Sequence, residues 1–363
     1  MDHEFPARAR KGRGAISNPD GRFEAHRRVA IDDGWATAAP SEDEDAPGPA
    51  TTLSPDASRS IIARNDSPDI PFDRSINPYR GCEHGCVYCY ARPTHGWLGL
   101  SAGLDFETRI FFKPDAARLL RAELARPGYR PAPIAFGTNT DPYQPAERGL
   151  RITRALIELL AAQDHPVTIV TKSALVLRDA DILGPMSRKR LARVFVSLTT
   201  LDRGLARRLE PRAASPARRL EAIAGLAAAG VDVGVMTAPL IPALTDHELE
   251  PMLEAAARAG ARAAGYTMLR LPHEVKDLFR EWLEAHEPLK AARVLARVAR
   301  MRGGALNDPR FGARIVGEGE EAALVARRFR LASKRLGLGR ERQPLDASLF
   351  RPPSGDERQA SLF

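Results

Sequence analysis

Residues 167–199 read VTIVTKSALVLRDADILGPMSRKRLARVFVSLT, and this stretch holds the pattern that sets the fold. A β-branched run, Val167–Thr171, precedes a segment of helical period at about 178–190, and a second β-branched run follows at Arg193–Thr199. A strand, a helix and a strand in that order form a crossover, so the two strands lie parallel in one sheet. From about Ile61 the same alternation runs along most of the chain. It predicts further strands at Ser75–Tyr79, Pro133–Thr138, Val231–Thr237 and Arg262–Leu269, with helices at about 113–126, 145–163, 215–229, 245–259 and 273–286. Ser215-Pro216 reads as a cap with a first-turn proline, Thr245 with Glu248 as a capping box, and Gly230 and Gly260 as stops.

Six parallel β-α units form either a doubly wound open sheet or part of a barrel, and periodicity alone does not choose between them. In both, ligands sit beyond the C-terminal ends of the strands. The polar residues there are Thr138-Asn139-Thr140-Asp141, Lys172-Ser173, Ser197, Thr199-Thr200, Thr237 and Arg270.

Before this core, residues 1–58 mix Gly, Pro, Ser, Asp and Arg without periodicity and read as a disordered or loosely draped arm. The core is expected over 59–302, a helical extension with a helix at about 318–336 over 303–340, and a flexible polar tail over 341–363. At 363 residues and 44% hydrophobic the chain can bury a full core without staples. Its three cysteines lie within eight residues of one another, which excludes a secreted disulfide framework and points to a reducing compartment. The opening MDHEFPARARKGRG lacks the apolar stretch of a signal peptide, and no long apolar run follows, so a soluble cytoplasmic protein without membrane contact is expected. The formal charge is +8, carried by 47 Arg against 7 Lys, which suits a polyanionic partner such as nucleic acid or reflects composition alone.

The chemistry lies in INPYRGCEHGCVYCYARPTH, which sets Cys82, Cys86 and Cys89 as C-x3-C-x2-C directly after the first predicted strand. Thiolates so spaced are metal ligands. Structural zinc takes four protein ligands, commonly two separated pairs, and only His84 or His95 offers a local fourth here. Three thiolates suit a 4Fe-4S cluster whose fourth iron stays open to a substrate or cofactor. Gly81 and Gly85 give the loop the backbone freedom to wrap a bulky cluster.

This spacing, with Tyr88 before the last cysteine, resembles the signature of the radical S-adenosylmethionine (radical SAM) superfamily. GTNTDPYQPAE, VTKS, VFVSLTTLD and LEPR further resemble the branch that includes spore photoproduct lyase and its bacterial relatives, over about residues 60–300. The resemblance implies a partial (β/α)6 barrel of TIM type. It also implies an iron-sulfur cluster on Cys82, Cys86 and Cys89 that cleaves S-adenosyl-L-methionine to a 5′-deoxyadenosyl radical, in a lyase-like reaction. An electron donor such as flavodoxin or ferredoxin is implied as well. By the same resemblance Tyr88 is a candidate contact to adenine, and Thr138, Asn139 and Asp141 are candidates for the methionyl amino group. Lys172 and Ser197 are candidates for the carboxylate and ribose, with a solvated strand end as the alternative. Arg212 is a candidate for the carboxylate or a substrate phosphate, with a plain ion pair as the alternative.

Spore photoproduct lyase repairs DNA, and its family implies a further cysteine as hydrogen donor. This chain has none to spare, so Tyr90 or Tyr143 is the candidate donor. A base in DNA, or in RNA, is the expected substrate. Arg327, Arg328, Arg330, Lys334 and Arg335 offer a basic helix that either meets phosphates or is simply solvated. Gln359-Ala360-Ser361-Leu362-Phe363 resembles the short peptide that docks on the bacterial DNA sliding clamp, and Ala347-Ser348-Leu349-Phe350 repeats its end. Two rivals remain: a zinc-stabilised nucleic-acid-binding module without catalysis, and a radical SAM enzyme acting on a protein or small molecule. HEVKD at His273 lacks the second histidine of a metalloprotease, no Walker loop occurs, and histidines 165, 247, 273 and 286 read as surface or capping residues.

Overall fold

In the computed structural model, which describes residues 9–23, 49–339 and 343–353, Val167, Ile169 and Thr171 are buried while Thr168 and Val170 are half-buried. That is the period-two signature of a strand with one face under helices. The strands are β1 (Thr52–Pro55), β2 (Ile62–Arg64), β3 (Arg74–Ile76), β4 (Tyr79–Arg80), β5 (Arg109–Phe112), β6 (Ile134–Phe136), β7 (Val167–Thr171), β8 (Ala192–Ser197), β9 (Asp232–Leu240) and β10 (Ala264–Met268). One seven-stranded sheet has the order β10-β9-β8-β7-β6-β3-β2. Its strands run parallel except β2, which pairs antiparallel with β3. The edges β10 and β2 do not pair, so the six parallel strands form a partial barrel. The register aligns Val167 with Ala192, and Arg193 with Asp232, where a 2.6 Å ion pair crosses the strands.

Helices Ile152–Ala162, Ala180–Arg188, Pro216–Ala228 and Leu249–Arg258 cover one face of the sheet. Leu156, Leu160, Leu183, Ile223, Leu226, Met252 and Leu253 join Ile169, Val194, Val196 and Val233 in one core. Burial of such side chains contributes roughly 1.5–3 kcal/mol each. Among the described residues no helix is long and apolar enough to cross a membrane.

Several sequence expectations shift. The run Ser75–Tyr79 is not one strand: β3 stays in the large sheet, while β4 joins β1 and β5 in a small second sheet. Pro78 stands at the break, where it cannot donate to a ladder. The helix expected over 145–163 divides at Arg151, which takes a φ of +52° between helices Glu147–Leu150 and Ile152–Ala162. Ser215 caps its helix through the Arg218 amide, but the Thr245/Glu248 capping box does not form. Thr245 Oγ1 accepts from the Ile241 amide at 2.9 Å, and Glu248 accepts from Thr200 Oγ1 at 2.7 Å and the Leu201 amide at 2.5 Å. Helices Arg203–Leu209 and Pro288–Arg300 were not anticipated.

The arm expected to lie loose over 1–58 packs where it is described. Ala15 and Ile16 are buried, and β1 pairs in parallel with β5. The tail expected to be flexible also docks in part: Phe350 packs on Tyr129 and His165 (5.5 and 5.2 Å between centroids), and Asp346 pairs with Arg190. Gln359–Phe363 lies outside the described residues. His165, expected at the surface, is fully buried, 2.8 Å from the Tyr129 hydroxyl. On helix Gly319–Arg335, Arg328 and Arg335 pair with Glu250 and Glu254 of the neighbouring helix, so two of the five basic side chains are neutralised.

Candidate active site

The small sheet aims the cysteine loop. Cys82 follows β4 after Gly81, and its amide donates to Phe106 O at 2.9 Å. Val87 donates to Leu209 O at 3.1 Å and Cys89 to Cys86 O at 3.2 Å, which ties the loop to the Arg203–Leu209 helix and to itself. Cys82 and Cys86 are buried and Cys89 is half-buried. Burial, then Asp141 and Cys86, push the Cys82 thiol well above its ordinary value. Burial, then Glu210, push Cys86 up to about 12 against the pull of Lys172 and Arg219. Such thiols ionise when a metal takes the place of the proton.

A buried pair braces the loop from behind. Arg92 donates to Cys86 O (2.8 Å), Gly85 O (3.1 Å), Ala102 O (3.1 Å) and Gly103 O (2.9 Å), and meets Glu107 Oε1 at 2.6 Å. Glu107 also accepts from the Gly14 and Ala15 amides at 2.9 and 2.7 Å, so the N-terminal segment seals the same brace. Gly14 is required there, because a Cβ would lie 1.8 Å from Gly85 O. Gly85 is required as well: its φ is +67° and a Cβ would lie 2.6 Å from Glu107 Oε2.

Residues 76–256 match the family model described as the radical SAM superfamily. This stretch is a radical SAM domain. The uncharacterized protein Rv2578c of Mycobacterium tuberculosis is 40% identical over 221 residues, covering 60% of this chain and 65% of that protein. The chain thus spans slightly under two thirds of the length of the curated relatives it matches. The uncharacterized protein MJ0683 of Methanocaldococcus jannaschii is 28% identical over 175 residues, 48% of this chain and 62% of that one. Among solved structures, spore photoproduct lyase complexed with dinucleoside spore photoproduct superposes with a TM-score of 0.54 at 18% identity, over 78% of this chain and 79% of that one. A double mutant of that lyase with bound AdoMet and dinucleoside spore photoproduct gives 0.54 and 18%, over 78% of each chain. These likenesses show a common fold.

Within the radical SAM domain, the strand ends gather most of the residues singled out in the sequence. Tyr88 donates to Glu210 and lies 3.3 Å from Thr199 Oγ1. Glu210 also takes Arg219 and the Thr199 hydroxyl, with Lys172 Nζ at 4.0 Å. Burial would raise the Glu210 carboxyl, but Arg219 and Lys172 outweigh it and hold the group at about 2. Lys172 Nζ also donates to Ala238 O at 3.3 Å. Asp141 accepts from the Lys172 amide (2.7 Å), Thr171 Oγ1 (2.7 Å) and the Tyr143 amide (2.8 Å), and it meets His84 Nδ1 at 3.3 Å, linking the loop to β7.

The Thr138 hydroxyl and the Asn139 amide bond Asn77 Oδ1 at 3.4 and 3.1 Å, and Thr138 O accepts from the Tyr90 hydroxyl. Ser197 is buried at the end of β8, with its carbonyl taken by Arg219. Arg212 forms the ion pair that was its alternative reading, with Glu83 at 3.0 Å, and donates to Thr51 Oγ1 at 2.9 Å. Tyr143 stands apart: it is fully buried, and its ring lies 5.9 Å from Arg178, which joins Glu147 and Asp179. Sequence reasoning missed Arg92, Glu107 and Gly14, and it named Glu210 only within LEPR.

Proposed function

We propose that this chain is a radical SAM enzyme in which Cys82, Cys86 and Cys89 hold a 4Fe-4S cluster whose fourth iron binds S-adenosylmethionine, and that it acts on a base in DNA or RNA. The observation that carries the reading is the braced loop with its three closely spaced thiols. His84 faces Asp141, and His95 Nε2 bonds Arg109 O at 3.0 Å. Three closely spaced thiols suit the three protein-held irons of a cluster better than a single structural zinc, which takes four protein ligands.

When bound, such a cluster supplies the electron that cleaves S-adenosylmethionine into a hydrogen-abstracting radical. The protein's own part is positioning and electrostatics. Arg92 and Glu107 fix the loop, while Lys172 and Arg219 favour the Cys86 thiolate. Glu210, held ionised, anchors Tyr88 and Lys172 at the ends of the strands. Tyr90, 44% exposed and directly after Cys89, is the better placed hydrogen donor, because Tyr143 is fully buried with its ring against Arg178. A nucleic-acid substrate is supported by the +8 charge and by the fold shared with a lyase solved with a dinucleoside photoproduct. A flavodoxin or ferredoxin would supply the electron, and Gln359–Phe363 is the segment for a sliding clamp.

Anaerobically reconstituted protein, reduced and given S-adenosylmethionine, should release 5′-deoxyadenosine. A variant carrying Cys82→Ala, Cys86→Ala and Cys89→Ala should release none. Equal release from both would refute the cluster as its source.

A further inference from the structure

Arg270 follows β10, the edge strand of the sheet, and its guanidinium carbon lies 4.3 Å from the centroid of the Tyr90 ring. It makes no hydrogen bond or ion pair to any described residue. Two fully buried arginines behave differently. Arg92 has Glu107, and Arg219 has Glu210. The carboxylate nearest in charge, Asp69, is committed to Arg314 at 2.5 Å and to the Gly312 amide at 2.7 Å.

Positive charge accumulates around this stack. Arg302 gives its donors to the carbonyls of Met268, Leu269 and Ala313 and has no carboxylate among its hydrogen bonds. Burial, then Arg270, push Arg302 down to about 10, and burial, then Arg314, lower Arg270. A half-buried cation without a counter-ion costs free energy that a bound anion recovers.

The position is informative. Tyr90 follows Cys89 and donates to Thr138 O beyond β6, so the Tyr90–Arg270 stack bridges the C-terminal ends of β6 and β10 beside the third thiol. We propose that Arg270, pre-oriented on the Tyr90 ring, binds a phosphate of the substrate at the mouth of the barrel. With none of its N–H groups spent on a described residue, the guanidinium keeps its planar fork of donors for phosphate oxygens. The half-exposed Tyr90 ring adds a surface on which a base can stack, so one nucleotide satisfies both groups. This inference rests on the cysteine loop being the reacting centre. The carboxylate of S-adenosylmethionine is the other anion that could use Arg270, but Lys172 already offers it a cation on β7's side of the site.

The test uses reconstituted full-length protein, wild type, Arg270→Gln and Arg270→Lys, each checked by thermal melting. Two probes are a fluorescein-labelled single-stranded oligonucleotide, and a thymidine dinucleotide compared with its uncharged methylphosphonate analogue. S-adenosylmethionine binding is measured in parallel. Arg270→Gln should weaken oligonucleotide binding about tenfold or more and lower the salt slope by about one contact, with Arg270→Lys between the two. Wild type should prefer the charged dinucleotide, and Arg270→Gln should lose that preference while binding S-adenosylmethionine as before. Unchanged oligonucleotide binding in Arg270→Gln overturns the proposal, and so does a loss confined to S-adenosylmethionine. If wild type keeps the charge preference yet releases no 5′-deoxyadenosine, the phosphate site stands and the radical reading fails.

Discussion

Glu107→Gln probes the brace behind the cysteine loop with almost no change of shape. In the native protein Glu107 and Arg92 are both fully buried, 2.6 Å apart. Glu107 Oε1 accepts from Arg92 and the Ala15 amide, and Oε2 from the Gly14 amide. A glutamine turns one of those oxygens into a donor. Facing Gly14, it sets N–H against N–H; facing Arg92, it strands a buried guanidinium. The first loss is about 1–3 kcal/mol, and an uncompensated buried charge is about 3–5 kcal/mol. The four backbone carbonyls that also bind Arg92 absorb part of this, so the net expectation is about 2–4 kcal/mol. Urea unfolding of wild type and variant reads it, with iron content after reconstitution as the second measurement. The variant should unfold at clearly lower urea and retain less than about half the iron. A loss below about 1 kcal/mol with full iron would refute the claim that this pair holds the loop.

Three further outcomes follow from the same geometry. Gly85→Ala should cost roughly 1–2 kcal/mol from its left-handed φ alone, and more from the Cβ driven against Glu107, with iron loading falling accordingly. Tyr88→Phe removes the hydroxyl donated to Glu210 and should lower stability by about 1–3 kcal/mol in urea titration while iron content is kept. Burial holds the His165 imidazole at about 4, below its unfolded value, so the fold favours the neutral ring. That contribution is complete above the unfolded value of about 6.5 and is lost as pH falls toward the folded one. Stability should drop by about 2 kcal/mol between about pH 7.5 and about pH 5 from this group, and His165→Phe should flatten the slope.

The sheet was legible because its strands are short β-branched runs separated by helical period, and β7 lies where the sequence puts it, at Val167–Thr171. The first strand was harder: Ser75–Tyr79 reads as one strand, although Pro78 stands where Tyr79 leaves for the second sheet. At the break near Arg151 the positive φ falls on the arginine itself and not on Gly149 two residues earlier, so the sequence does not announce it. Thr245 and Glu248 have capping-box spacing, but tertiary partners at Ile241 and Thr200 claim both side chains. The cysteines were legible from spacing alone. Their brace was not, because Glu107 meets amides 93 and 92 positions earlier in an arm whose composition suggests disorder. His165 looked like a surface residue because a single polar side chain gives no periodic signal, and two of the rings packed on it come from distant positions, Tyr129 and Phe350.

The most direct examination of the cluster is electron paramagnetic resonance on reduced, oxygen-free protein before and after addition of S-adenosylmethionine. The account predicts the signal of a reduced 4Fe-4S cluster that changes shape when the sulfonium compound is added, because an open iron accepts its amino and carboxylate groups. A silent sample containing about one zinc per chain would contradict it. So would an iron-sulfur signal that S-adenosylmethionine leaves unaltered.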